Sequence, residues 1–253
     1  MSILDWIYPP KCVACGMIIP IYDKLHKKLW LCTNCIALFE PIQTNTCKMC
    51  GVPVEDVITC SSCKTKIYNF SANYACFVYE DLVRDLLLSL KFRNKKNVAY
   101  SLGYLWAGFV KSNEQLKEYI NEEIILVPVP MHPKKQRERG FNQAEILAQI
   151  LSSELKIPFS NALTRTVDTP PMAGLHPTLR AENLLGAFSI RDSKDSKNSK
   201  NSKTSVSVKD KKIMLVDDIY TTGASLNECA LTLKNAGANT ISCMTLSITV
   251  KAK

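Results

Sequence analysis

A chain of 253 residues, 46% of them hydrophobic, with a formal net charge of +9, is long enough for one large or two smaller domains with buried cores. No run of about eighteen apolar residues occurs, which excludes a membrane-spanning helix; the start Met1-Ser2-Ile3-Leu4-Asp5-Trp6-Ile7-Tyr8 lacks the basic and long apolar regions of a signal peptide, so the chain is expected in the cytoplasm. The positive balance favours phosphorylated ligands or polyanions without choosing between them.

Eight of the eleven cysteines form four C-x-x-C pairs near the N-terminus: Cys12/Cys15, Cys32/Cys35, Cys47/Cys50 and Cys60/Cys63. In a reducing compartment this repetition points to metal rather than disulfides. Each pair makes a knuckle with two thiolates, and four thiolates close one tetrahedral zinc site, so the eight make two structural Zn2+ sites. Sequential and cross-braced pairings both satisfy the spacing. Gly16 and Gly51 follow a second cysteine and suit the tight turn of a knuckle. Residues 1–66 thus read as a small double zinc ribbon with a core of its own, its folding energy supplied by zinc. Ribbons of this kind are scaffolds or docking surfaces, and the module alone assigns no function.

Residues 64–68 read as a linker into a second domain over 67–253. An aromatic-rich strand is expected over 70–79. An amphipathic helix over 81–92 follows, with Leu82, Leu86 and Leu90 on one face. It ends in Lys91-Phe92-Arg93-Asn94-Lys95-Lys96, which fits a phosphate or base ligand and equally a solvated helix end. Two more helices are expected over 98–111 and 113–122, then a buried strand over 123–127. The next segment, Pro128-Val129-Pro130-Met131-His132-Pro133-Lys134-Lys135, reads as a rigid extended exit, because its prolines oppose helix. Gln136-Arg137-Glu138-Arg139-Gly140-Phe141-Asn142-Gln143 then leads into a helix with Ile146, Leu147, Ile150, Leu151 and Leu155 facing inward. Strand, cationic loop and helix N-terminus together make an anion site. His132, between prolines, reads as a loop residue before a general acid.

Residues 163–175 are polar, long and broken by Pro170-Pro171, a lid candidate over a ligand site. Residues 191–211 are a lysine- and serine-rich low-complexity insertion, expected to be flexible because nothing apolar offsets the entropy of ordering them. An apolar strand over 240–250 ends the pattern. Cys76, Cys229 and Cys243 stand alone in apolar contexts and read as core thiols.

The most informative stretch is Ile213-Met214-Leu215-Val216-Asp217-Asp218-Ile219-Tyr220-Thr221-Thr222-Gly223-Ala224-Ser225-Leu226. An apolar run for a strand buried on both faces ends in two carboxylates, then a small hydroxyl-rich turn, then a helical pattern with Gly237 beyond its end. Free N–H groups at the helix start, with the hydroxyls of Thr221, Thr222 and Ser225, can cradle a phosphate; Gly223 permits close approach, and Ala224 continues the loop. Asp217 and Asp218 beside it can accept from sugar hydroxyls. A Walker B strand would need a P-loop, and no G-x-x-x-x-G-K-[ST] is present; a response-regulator strand would need more chain downstream. The stretch closely resembles the 5-phosphoribosyl-1-pyrophosphate (PRPP) motif of type I phosphoribosyltransferases. On that reading Lys134, Arg137 and Arg139 form the pyrophosphate loop and neutralise the diphosphate, with Mg2+ accompanying PRPP.

Four blocks together resemble the ComF family of competence proteins: the four C-x-x-C pairs, the Tyr79…Lys91 helix block, Pro128-Val129-Pro130…Arg139-Gly140-Phe141-Asn142-Gln143, and Val216-Asp217-Asp218-Ile219-Tyr220-Thr221-Thr222-Gly223. The resemblance covers the whole chain apart from the insertion. It implies an α/β fold: a type I phosphoribosyltransferase-like domain, with a parallel sheet flanked by helices, behind the double zinc ribbon. It implies a role in natural transformation, in handling incoming single-stranded DNA, with a competence helicase as a partner. It also implies that Arg165, Asp168, Thr169 and Arg180 belong to the lid. Met172 departs from the pattern, since similar members usually carry glutamine there. Three activities fit: a DNA-handling protein, an enzyme moving phosphoribose from PRPP to a base or amine, and a regulator that senses PRPP.

Overall fold

The computed structural model describes residues 9–19, 29–55, 57–90, 95–120, 123–169, 183–191 and 207–250. Its centre is a four-stranded parallel sheet of β1 (Asn73–Val78), β2 (Ile124–Pro128), β5 (Lys212–Tyr220) and β6 (Thr240–Ile248), in the order β1-β6-β5-β2. Parallel pairing puts both faces of the sheet under other elements, which is why β2 and the first half of β5 are continuous apolar runs. The short strands β3 (Leu163–Arg165) and β4 (Phe188–Ile190) pair antiparallel outside it.

The eight helices among the described residues are α1 (Thr33–Ile36), α2 (Ser61–Lys64), α3 (Asp81–Ser89), α4 (Lys96–Ser112), α5 (Glu114–Tyr119), α6 (Pro133–Arg139), α7 (Gln143–Leu155) and α8 (Ala224–Asn235). Period-two alternation divides the strand residues between two cores. Leu126, Met214, Val216, Met244 and Leu246 face α3, α4 and α7. Ile125, Val127, Ile213, Leu215 and Cys243 face α8 and the β3–β4 pair. α4 and α7 approach closely because Gly103 has no side chain; a Cβ there would lie 2.6 Å from Ile150 Cδ1. Cys76, Cys229 and Cys243 are fully buried in these cores, as the sequence suggests.

Two expectations are corrected. Among its described residues the cysteine-rich segment has no separate core: Cys12, Ile19, Leu31, Cys35 and Phe39 belong to the α4 side of the sheet, and Cys47, Cys50 and Cys63 to the α8 side. Phe39 packs edge-on against Phe77 of β1 with ring centroids 5.5 Å apart. Few large apolar residues in the ribbons means that they complete their cores by borrowing the sheet's. The exit after β2 is also not extended throughout, since α6 occupies Pro133–Arg139. Pro133 stands in the first turn, where its missing N–H costs nothing. His132 Nδ1 accepts from Lys134 N–H at 3.3 Å, and Gly140, at φ 89°, ends the helix in the left-handed region.

Candidate ligand cleft and metal centres

The cysteines gather sequentially. In Cys12/Cys15/Cys32/Cys35 and in Cys47/Cys50/Cys60/Cys63 the four sulfurs lie within 4.8 Å of one another, which removes the cross-braced alternative. A tetrahedral zinc with Zn–S of about 2.3 Å requires S···S of about 3.8 Å. Cys15–Cys32 and Cys50–Cys60 each stand at 3.7 Å. Backbone N–H groups already face the sulfurs: Cys32 N–H donates to Cys12 Sγ at 3.4 Å and Cys60 N–H to Cys47 Sγ at 3.3 Å. Burial pushes the Cys12 and Cys47 thiols up, but the N–H groups of Cys15 and Cys32, and of Cys50 and Cys60, pull harder and lower both to about 7. Burial and the neighbouring sulfurs push the Cys35, Cys50 and Cys63 thiols the other way, so the fit of both sets to zinc rests on the sulfur geometry and the four-thiol donor sets.

At the C-terminal edge of the sheet, Pro128 stands in register with Val216. This puts the exit of β2 beside the carboxylates that follow on β5. Two adjoining hollows result, sharing Asp217 and Ser225. One, of ≈90 Å³, is walled by residues 219–226, which include Thr221, Thr222, Gly223 and Ala224. The other, of ≈150 Å³, is walled by Val129, Pro130, Met131, Arg139, Asn142, Gln143, Ala144, Arg165, Asp217 and Asp218. The first opens on the N-terminus of α8 and the second on that of α7, so both lie at positive helix ends.

Asp217 and Asp218 both line the second hollow although they are neighbours on a strand, and Asp217 Oδ1 accepts from Asp218 N–H at 2.9 Å. Burial raises both carboxyls above the usual range. The Asp218 charge adds to the rise at Asp217, while Arg139 counters it at Asp218. A carboxylate pair held at this cost fits hydroxyl donors or a hydrated Mg2+.

Arg165, expected in a lid, instead sits on β3 in the cleft wall. Its Nη2 donates to Thr169 Oγ1, its guanidinium lies 5.5 Å from the Phe188 ring centroid, and its Nε is buried with no partner. Thr169 is buried behind it. The other sequence-derived cations are not brought together. Arg139 lines the cleft, whereas Arg137 is exposed on α6. Lys134 is exposed and pairs with Asp168 at 3.4 Å. Asp168 also lies 3.7 Å from His132 and 3.9 Å from Lys135, so it ties α6 to the base of the lid segment. Arg180 and Met172 lie outside the described residues, as do residues 91–94 of the basic cluster and 192–206 of the insertion.

Sequence reasoning missed three contributors. Lys135 Nζ donates to the Thr169 carbonyl at 2.7 Å. Asn142, buried, donates from Nδ2 to the Val129 carbonyl at 3.1 Å and fixes the cleft wall; an Asn just before a helical pattern was its only signal. Tyr68, read as linker, reaches the cleft's own strand, and nothing local announces that.

A hydroxyl-rich loop and acid pair at the edge of a parallel α/β sheet, behind two four-cysteine centres, define a double zinc ribbon joined to a phosphoribosyltransferase-type domain. The chain matches the Double zinc ribbon domain over residues 3–64 and the Phosphoribosyl transferase domain over residues 141–250. It is 30% identical over 237 residues to competence protein F of Haemophilus influenzae, covering 91% of this chain and 93% of that protein. It is 28% identical over 223 residues to competence protein ComFC of Bacillus subtilis, covering 85% and 83%. It is also 28% identical over 215 residues to DNA utilization protein YhgH of Escherichia coli K12, covering 82% and 86%. The chain belongs to the ComF family of competence proteins. No helix among the described residues is long and apolar enough to cross a membrane.

Proposed function

We propose that this protein acts in natural transformation, in the cytoplasm, binding PRPP or a similar phosphorylated ribose in the cleft and handling incoming single-stranded DNA. The observation that carries the ligand reading is the convergence of Asp217, Asp218, Arg139, Arg165 and the 221–225 loop on one cleft. In this reading the N–H groups and hydroxyls of Thr221, Thr222 and Ser225 hold the 5′-phosphate. Asp217 and Asp218 accept from the ribose hydroxyls, and Arg139 and Arg165 face the diphosphate. Mg2+, held at the acid end with the diphosphate, supplies further charge neutralisation. The DNA role is supported by the names of the competence relatives and by the formal charge of +9.

The test is a melting-temperature titration with PRPP and magnesium, run beside fluorescence anisotropy with a labelled single-stranded oligonucleotide. PRPP is expected to raise the melting temperature by linkage, and Asp217→Asn with Asp218→Asn to abolish the rise. The oligonucleotide is expected to bind with little sequence preference and to weaken steeply with salt. No shift with PRPP removes the ligand assignment. No DNA binding at low salt leaves only an indirect route, through a helicase partner. Release of pyrophosphate in the presence of a nucleobase or amine would extend the reading from binding to phosphoribosyl transfer.

A further inference from the structure

Tyr220 closes β5 and begins the loop assigned above to a phosphate. Its hydroxyl donates to the Tyr68 hydroxyl at 3.4 Å. Tyr68 Oη in turn lies 3.7 Å from Cys63 Sγ, a member of the second cysteine set. Tyr220 is also the floor of the loop: a Cβ built on Gly223 would collide with its hydroxyl and stand 2.7 Å from its Cζ. Gly223 meets this with φ 76° and begins α8. The next residue after Tyr68 makes a second tether. Asn69 donates to Asn227 Oδ1 from its backbone N–H at 2.7 Å and from Nδ2 at 3.3 Å, and Asn227 N–H donates to the Gly223 carbonyl at 2.8 Å. Residues 68 and 69 thus grip both ends of the loop.

A zinc-bound thiolate has no proton and can only accept. With metal in place, Tyr68 donates to Cys63, which leaves its own oxygen free to accept from the Tyr220 hydroxyl 3.4 Å away. We propose that the second metal centre positions the phosphate loop through Tyr68. Zinc held by Cys47, Cys50, Cys60 and Cys63 fixes the Tyr68 phenol, and Tyr68 fixes Tyr220 beneath Gly223. Tyr68 is a positioning residue, and affinity for a phosphorylated ligand depends on metal in the second site. Among the described residues no such hydrogen-bond path leads from the first centre: its side-chain hydrogen bond to the domain is Trp30 N–H to Ser101 Oγ on α4 and its ring contact is Phe39 on Phe77 of β1, and neither reaches Tyr68 or Tyr220. The ligand half of this inference rests on the proposed function; the loop half does not.

The full-length chain, loaded with cobalt(II) as a spectroscopic stand-in for zinc, supplies two measurements. The first is amide hydrogen exchange over 221–225. Tyr68→Phe is expected to keep both metal ions and to raise exchange there about fivefold, the scale of one neutral hydrogen bond. Tyr220→Phe breaks the same chain without touching a neighbour of the metal and is expected to match it; Ser101→Ala is expected to change nothing in the loop. The second is the thiolate–cobalt absorption on adding PRPP and magnesium. Coupling is reciprocal, so the ligand is expected to perturb the band in wild type and not in Tyr68→Phe. Unchanged exchange in both tyrosine variants overturns the proposal. If exchange responds but PRPP changes neither the band nor the melting temperature, positioning stands and the PRPP assignment falls. If PRPP stabilises wild type and Tyr68→Phe equally with exchange unaltered, positioning falls and the PRPP assignment stands.

Discussion

The two ribbons repeat one design and sit on opposite faces of one sheet. In the first, Gly16 N–H donates to the Cys12 carbonyl at 2.9 Å and Cys12 N–H to Met17 at 2.8 Å; in the second, Gly51 N–H donates to Cys47 and Cys47 N–H to Val52, each at 2.8 Å. Each closes on a single helical turn, α1 or α2, carrying its last cysteine. Yet Gly16 looks out on open space, whereas a Cβ on Gly51 would stand 2.5 Å from the Asn73 carbonyl of β1. Cys15 is exposed, and no sulfur of the second set is. Asn73 sharpens the contrast by donating from Nδ2 to the Cys50 carbonyl at 2.9 Å. Together the ribbons shield the edge strand β1, through the Pro41–Phe77 bridge and the Asn73 N–H to Met49 bond. The repeated knuckle thus has one copy whose Cys15–Gly16 corner faces solvent and one whose Cys50–Gly51 corner is packed against β1.

The largest expected effect comes from removing a metal ligand. Two zinc ions per chain should be released on thiol modification; a stoichiometry near one would leave half the cysteines with another role. Cys12→Ser and Cys47→Ser should each cost several kcal/mol, because metal binding is folding energy. Since both ribbons share the sheet's cores, each variant should unfold in a single transition at lower temperature. A residual native transition of the C-terminal domain in Cys12→Ser would show that the shared core is not cooperative.

The knuckle glycines test the docking directly. Both have positive φ, 76° at Gly16 and 77° at Gly51, so alanine at either position is strained by about 1–2 kcal/mol. At Gly51 the β1 backbone must also move, adding an overpacking cost, for a total of roughly 2–5 kcal/mol. Thermal unfolding of Gly16→Ala and Gly51→Ala measures the difference, and equal losses would mean that the second ribbon yields freely.

What the sequence discloses divides along the same line. Spacing of cysteines, the apolar run before Asp217 and the hydroxyl-rich turn after Asp218 are local patterns, and local patterns dictate a knuckle or a strand–loop–helix on their own. Which knuckle faces solvent is not local, because it depends on what β1 presents to Gly51. The Tyr68–Tyr220 bond joins residues 152 apart, and a tyrosine at the end of a polar stretch looks the same with or without it. Arg165 was visible as a cation near a lid, but its place in the cleft wall comes from the pairing of β3 with β4. The α6 helix was hidden by three prolines, two of which precede it while the third occupies the first-turn position that tolerates it.

Beside the second ribbon, the acid pair carries a measurable tension. Burial and the neighbouring Asp218 charge raise the Asp217 carboxyl above its ordinary 3.8, so between that value and the raised one the folded chain holds a proton that the unfolded chain has lost. The contribution of Asp217 to the stability of the ligand-free protein should therefore be fully present below pH 3.8 and be lost as pH rises through the raised folded value. Asp217→Asn should flatten this slope and melt a few degrees above wild type near neutral pH, the usual gain where a functional site is relaxed. Denaturant unfolding across pH measures it, and a variant less stable than wild type near neutral pH would show that the carboxylate is satisfied without ligand.

The smallest expected effect isolates the outward ribbon. Ser101, fully buried on α4, accepts from Trp30 N–H at 3.0 Å and donates to the Asn97 carbonyl at 2.8 Å. Ser101→Ala leaves Trp30 N–H without that acceptor at a half-buried position, a loss of about 1 kcal/mol. Metal content should stay at two, and the PRPP-induced rise in melting temperature should match wild type, because no described hydrogen bond joins Trp30 or Ser101 to Tyr68 or Tyr220. Denaturant unfolding and the same PRPP titration check both halves. A PRPP response reduced by Ser101→Ala would mean that the first ribbon reaches the cleft through α4 and β1, and the two copies would no longer be mechanically distinct.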